Sequence, residues 1–115
     1  MPALSVDLLF DAAVRILLQE RSLTITFTKD LVRLKFPTTR RLAEFLNVPH
    51  YYVLPYFAMM EEEDLVTRAE RVGIMTTAKG SRKMINLMQT KYPDLTRGIL
   101  GEAIFDELVG KTPSS

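Results

Sequence analysis

The side chains with chemistry to offer in this 115-residue chain are mostly arginines and lysines, and they are unevenly spread. From Arg21 to Arg41 the bases are Arg21, Lys29, Arg33, Lys35, Arg40 and Arg41, against Asp30 alone. From Leu42 to Val66 the sign reverses, with Glu44, Glu61, Glu62, Glu63 and Asp64 and no Lys or Arg. Bases return from Thr67 to Lys83 at Arg68, Arg71, Lys79, Arg82 and Lys83, opposed by Glu70. The net charge of +1 taken alone says nothing in favour of nucleic acid. Its distribution, two basic zones bracketing an acidic and apolar centre, is the informative part.

Catalytic chemistry has little to work with. The chain has no Gly-rich phosphate loop, no Gly-x-Ser-x-Gly elbow and no His-Glu-x-x-His pair, and the lone His50 has no carboxylate or nucleophile beside it in sequence. The absence of cysteine excludes disulfides and Cys-ligated zinc or iron–sulfur sites. Glu61, Glu62, Glu63 and Asp64 could bind a hard cation only if they converged. Consecutive helical residues fan around the axis, so a solvated helix end is the better reading. The expectation is a non-enzyme without cofactor or metal.

The elements that must position these residues fit one domain over 1–110, followed by a tail over 111–115. Hydrophobic content of 47% and charged content of 25% are those of an ordinary globular protein. The opening Met-Pro-Ala-Leu-Ser-Val-Asp lacks a basic leader, and no apolar run reaches membrane-spanning length, so a cytoplasmic protein is expected. Ser5 can cap a first helix over 5–20, with Asp7 in its first turn. Leu9, Ala13, Ile16 and Leu17 share one face and Phe10, Val14 and Leu18 widen it, a breadth that calls for burial on two sides, by the core alone or with a second subunit. Leu23 to Phe27 alternates apolar residues with Thr, as a half-buried strand does. Val32, Leu34 and Phe36 alternate with Arg33 and Lys35, giving a hairpin turned at Thr28-Lys29-Asp30. A short helix over 29–36 capped by Thr28 competes with it, and Pro37 ends either one.

The organising stretch is Thr38 to Gly80. Thr38 caps a helix over 39–46 with Leu42, Phe45 and Leu46 on its buried face, and Asn47-Val48-Pro49 turns the chain. A second helix follows with Val53, Phe57 and Met60 inward, ended by Glu61 to Asp64. Pro55 should kink or restart it. Leu65-Val66-Thr67 reads as a strand, Arg68 to Gly73 as a loop, Ile74-Met75-Thr76 as a returning strand, and Thr77 as the cap of the next helix. There Met84, Leu87 and Met88 point inward until Pro93 stops it. Asp94 can cap a last helix over 94–109, with Leu95, Ile99, Ala103 and Leu108 on one side and Leu100, Ile104 and Phe105 extending it.

Helix, turn, helix, Asp-Leu-Val strand, basic loop, strand and Thr-x-x-Gly helix start, in this order, resembles the winged helix-turn-helix domain of the MarR and PadR type of transcriptional regulator. The resemblance covers the central stretch, and the order of elements carries it. It implies a mainly α fold with a small β-hairpin wing (α+β) and additional N- and C-terminal helices. Terminal helices in that family pair across a two-fold axis, so a homodimer is expected, with packing inside one monomer as the alternative. The implied function is regulation of transcription by binding double-stranded DNA. Carried onto this chain, phosphates would meet Thr38, Thr39, Arg40 and Arg41 at the first motif helix, Arg68 and Arg71 on the wing, and Lys79 behind it, with strong salt dependence. His50, Tyr51 and Tyr52 would face the groove and could donate to phosphates or bases.

The departure lies in the second motif helix, which has no Arg, Lys, Asn or Gln from Pro49 to Met60. Bidentate base contacts are unavailable from it, leaving DNA shape and wing arginines for discrimination. Its outward positions, His50, Tyr51, Tyr52, Leu54, Pro55, Ala58 and Met59, also suit a protein partner at the Tyr51/Tyr52/Pro55/Met59 face, an adaptor role winged helices can take.

Overall fold

Eight residues of the first helix, α1 (Val6–Gln19), have their side chains fully enclosed: Leu9, Phe10, Ala12, Ala13, Val14, Ile16, Leu17 and Leu18. A computed structural model, describing residues 3–28 and 31–111, shows what encloses them. Following α1 come β1 (Ile25–Phe27), β2 (Val32–Leu34), α2 (Thr39–Leu46), α3 (His50–Glu62), β3 (Val66–Ala69) and β4 (Gly73–Thr76). The chain then continues through α4 (Ala78–Thr90), α5 (Pro93–Leu100) and α6 (Glu102–Lys111). Helices α2, α3, α4 and α5 all pack on α1. The broad apolar surface that seemed to need two covers therefore finds both within its own chain. Each large apolar side chain so enclosed contributes about 1.5–3 kcal/mol.

The architecture is mainly helical with small antiparallel hairpins. β1 pairs with β2 in the register Ile25 to Leu34 and Phe27 to Val32, and β3 with β4 in the register Val66 to Thr76 and Ala69 to Gly73. The hairpin thus prevails over the competing helix at 29–36; the turn residues Lys29 and Asp30 lie outside the described residues. Beyond β2 the chain also reaches the second hairpin. Lys35 bridges Met75, and the Phe36 amide donates to the Ile74 carbonyl at 2.8 Å. Edge-to-face contacts of Phe36 with Phe10 (5.2 Å) and Phe57 (5.7 Å) anchor this joint to α1 and α3.

At the same joint a polar chain is buried. The Leu34 amide donates to Thr76 Oγ1 at 2.9 Å, Thr76 and Ser81 hydroxyls lie 2.7 Å apart, and Ser81 donates to the Val32 carbonyl. Because Ser81 spends its one hydrogen on Val32, Thr76 is the donor between the two hydroxyls. The start of α4 is pressed against the exit of α3. Thr77 caps α4 through the Gly80 amide (3.1 Å), its own amide donates to the Leu65 carbonyl (3.0 Å), and its hydroxyl reaches the Asp64 carbonyl.

Two expectations need correction. Pro55 does not restart α3, which runs as one helix from His50 to Glu62. The ring removes a single bond to the carbonyl of Tyr51, an exposed position where water can replace it, while Val53, Phe57 and Met60 hold the helix down on either side. The C-terminal helix is two helices. Gly101, at φ +82°, breaks the stripe, and Pro93 occupies the first turn of α5, so Tyr92 and not Asp94 takes the cap position. Thr96, Phe105 and Leu108 turn inward, while Leu95, Ala103 and Ile104 stay exposed. Helix α6 extends to Lys111, into the expected tail, whose remaining residues 112–115 lie outside the described residues.

Candidate nucleic-acid interface

Thr38 Oγ1 accepts the Arg41 amide at 3.1 Å and so starts α2, and Asn47, at φ 56°, ends it in the left-handed region that Asn tolerates. This tight turn brings the first residues of α3 back beside the first residues of α2. Thr39 Oγ1 and His50 Nε2 lie 2.7 Å apart as a result. A neutral imidazole and a hydroxyl own one hydrogen each, and their mutual bond uses one of them. Whichever donates, the pair keeps one donor free for an anion. Arg40 is exposed beside them and makes no ion pair among the described residues. It lines an open concavity of about 420 Å³ with His50, Pro49, Asn47 and Glu44.

The remaining arginines are distributed differently from the single grip expected. Arg41 reaches back to the end of α1, where its Nε donates to Oε2 of the C-cap Glu20 at 2.8 Å and its Nη2 donates to the same oxygen. The hydrogen bond to Glu20 raises the guanidinium's pKa further, outweighing its slight desolvation. Arg68 belongs to β3, opposite Ile74, and not to the loop, because the hairpin is longer than the loop reading allowed. Its Nε donates to Glu61 at 3.2 Å. Arg71 sits in the turn at φ 67° with no ion pair among the described residues. Lys79 Nζ donates to the Glu63 carbonyl at 3.0 Å, satisfying an end carbonyl of α3. It lines a groove of about 680 Å³ between α1, α3 and α4, a different concavity from the one Arg40 lines. Thr38 is spent on its cap.

Helix α3 presents the face its spacing implied. Tyr51 is 65% exposed, Tyr52 41%, Leu54 42% and Met59 45%, while Val53, Phe57 and Met60 are buried. The Tyr51 and Tyr52 rings meet edge to face with centroids 4.8 Å apart. Among the described residues no three His, Cys, Asp or Glu converge as a metal site, and no helix is long and apolar enough to cross a membrane.

Sequence reasoning missed the Thr39 and His50 contact, for which the only signal was a Thr at the first position of α2 and a His at the first position of α3. It also missed Asp11, which receives Tyr92 Oη at 2.7 Å and Lys91 Nζ at 3.0 Å and staples α1 to the start of α5. Set against protein-family models and curated proteins, the sequence matches none.

Proposed function

We propose that this chain is a winged helix-turn-helix protein of the cytoplasm that binds double-stranded DNA and regulates transcription by occupying its site. Helices α2 and α3 form the helix-turn-helix, and β3 and β4 form the wing, with the strand around Lys35 at its root. The observation that carries the reading is the Thr39 to His50 hydrogen bond beside an open Arg40, which sets a donor and a cation at the corner where such a motif meets a phosphate. Arg71 supplies a second contact from the wing tip. Arg41 and Arg68 already hold carboxylates, so the grip is lighter than their number implies. With about two to four phosphates neutralised per chain, log affinity should fall with log salt at a slope of roughly −2 to −4 for one chain, and about twice that for a pair. Two copies pair through α5 and α6, where Leu95 and Ile104 stay exposed.

Anisotropy titrations of a random duplex at two salt concentrations test this. Arg40→Ala with Arg71→Ala should weaken binding to all sequences alike and flatten the slope, while Arg41→Ala should leave it nearly unchanged. The reverse pattern would overturn the placement, and mass-resolved chromatography of the same sample tests the pairing.

One observation favours a second reading. Tyr51, Tyr52, Leu54 and Met59 are exposed on a helix that itself carries no Lys or Arg, which suits a protein partner. As an adaptor, the chain would lose a protein complex on Tyr52→Ala, with DNA affinity unaltered or absent.

A further inference from the structure

The face that α3 turns outward has rings but no groups for reading base edges. Between Pro49 and Met60 there is no Arg, Lys, Asn or Gln, so the usual bidentate contacts in a major groove cannot be made. What α3 does present is π surface. Tyr51 and Tyr52 stand out at its first turn, and their edge-to-face contact, at 64° between planes, leaves a ring face uncovered. Stacking needs such faces and no particular donor, and it needs a base whose own face is free. Paired bases inside a duplex offer only edges.

Charge favours this end of the helix for an anionic strand. His50 adjoins Tyr51 in α3, and Arg40 shares a concavity with His50 and with Glu44, whose carboxylate offsets part of its charge. Glu61, Glu62, Glu63 and Asp64 lie at the other end, roughly 16 Å along the axis at helical rise, where they repel phosphate.

We infer that the polynucleotide favoured by this surface carries unpaired bases, which Tyr51 and Tyr52 hold by stacking while Arg40 and the Thr39 and His50 pair hold the adjoining phosphate. The inference rests on the nucleic-acid reading above and deepens it: the preferred target is a duplex opened over a few base pairs. A protein on the same face is the competing occupant.

The test uses labelled oligonucleotides of one sequence, as a perfect duplex and as a duplex with a central run of mismatches, titrated by anisotropy against the full chain. The mismatched duplex should bind about tenfold more tightly. Tyr51→Ala, at a position exposed enough to leave the fold intact by circular dichroism, should erase that preference, so that mismatched and perfect duplex bind with equal affinity. Tyr51→Phe, which keeps the ring, should retain the preference. Equal affinity for the two duplexes, or a preference that survives Tyr51→Ala with Tyr52→Ala, overturns the inference and leaves the duplex-binding reading standing. Failure of both duplexes to bind overturns that reading as well, and points to the protein occupant.

Discussion

Replacing Gly80 with alanine should destabilise this protein, although the same change in an open helix is favourable. Gly80 lies in the first turn of α4, where that helix meets the backbone leaving α3. A Cβ there would sit 1.9 Å from the Leu65 carbonyl oxygen and 3.3 Å from the Thr76 Cβ. An ordinary carbon to oxygen contact is roughly 3.3 Å, so the two backbones must part by about 1.4 Å. The obstacle is a main-chain carbonyl, fixed by its bond from the Thr77 amide at 3.0 Å, and cannot rotate aside like a side chain. Separation strains the Thr77 and Lys79 contacts to α3 and the buried Thr76 and Ser81 pair. Overpacking costs about 1–3 kcal/mol and each lost hydrogen bond about 0.5–1.5, against about 1 kcal/mol gained in helix propensity. The net expectation is a loss of about 2–4 kcal/mol, or a Tm lower by about 8–16 °C. Thermal and urea unfolding followed by circular dichroism give the number. Gly98→Ala is the internal control, since it lies in α5 with nothing within 4 Å of the added carbon. It should stabilise by about 0.5–1 kcal/mol. If Gly80→Ala melts at or above the wild-type temperature, the close approach of α4 to Leu65 is wrong.

Thr76→Val keeps the shape of a buried side chain but leaves the Leu34 amide without its acceptor, and should cost about 1–3 kcal/mol in urea unfolding. A loss no larger than that of an exposed threonine such as Thr26 would show that the polar chain between the hairpins is dispensable. The Asp11 staple sets an alkaline limit. Burial, then the hydrogen bond to Asp11, raises the Tyr92 pKa, and the hydrogen bond to Asp11 raises that of Lys91. Both groups hold their protons more tightly folded than unfolded, so this stability is complete below about pH 10 and is lost as pH climbs through the raised values. Tyr92→Phe should therefore lose less Tm than the wild type between about pH 8 and pH 11; parallel pH curves for the two proteins would count against the staple.

Much of the fold was legible because it is written locally. Ser5, Thr38 and Thr77 each announced a helix start that its hydroxyl does cap, and the spacing of Val53, Phe57 and Met60 named the buried side of α3. Alternation from Val32 to Phe36 identified a strand where helical spacing also fitted. The errors arose where local rules compete. Pro55 carries a breaker's penalty, but one missing bond at an exposed carbonyl is small beside the three buried side chains that hold α3 in place. Gly101 lay inside an apolar pattern long enough to read as one helix, and only its left-handed φ separates α5 from α6.

The sequence by itself determined the order of elements as far as α4, the buried face of α3 and the absence of base-reading side chains on it, because these depend on residue type and spacing of three or four positions. The tertiary structure alone decided which cations are open. Arg40 and Arg41 are neighbours in the chain, yet a helix turns successive side chains by about 100°. One therefore looks out over the α2 and α3 corner while the other meets Glu20, the residue that caps the end of α1. The carboxylates that occupy Arg41 and Arg68 lie 21 and 7 residues away, and no local pattern connects them.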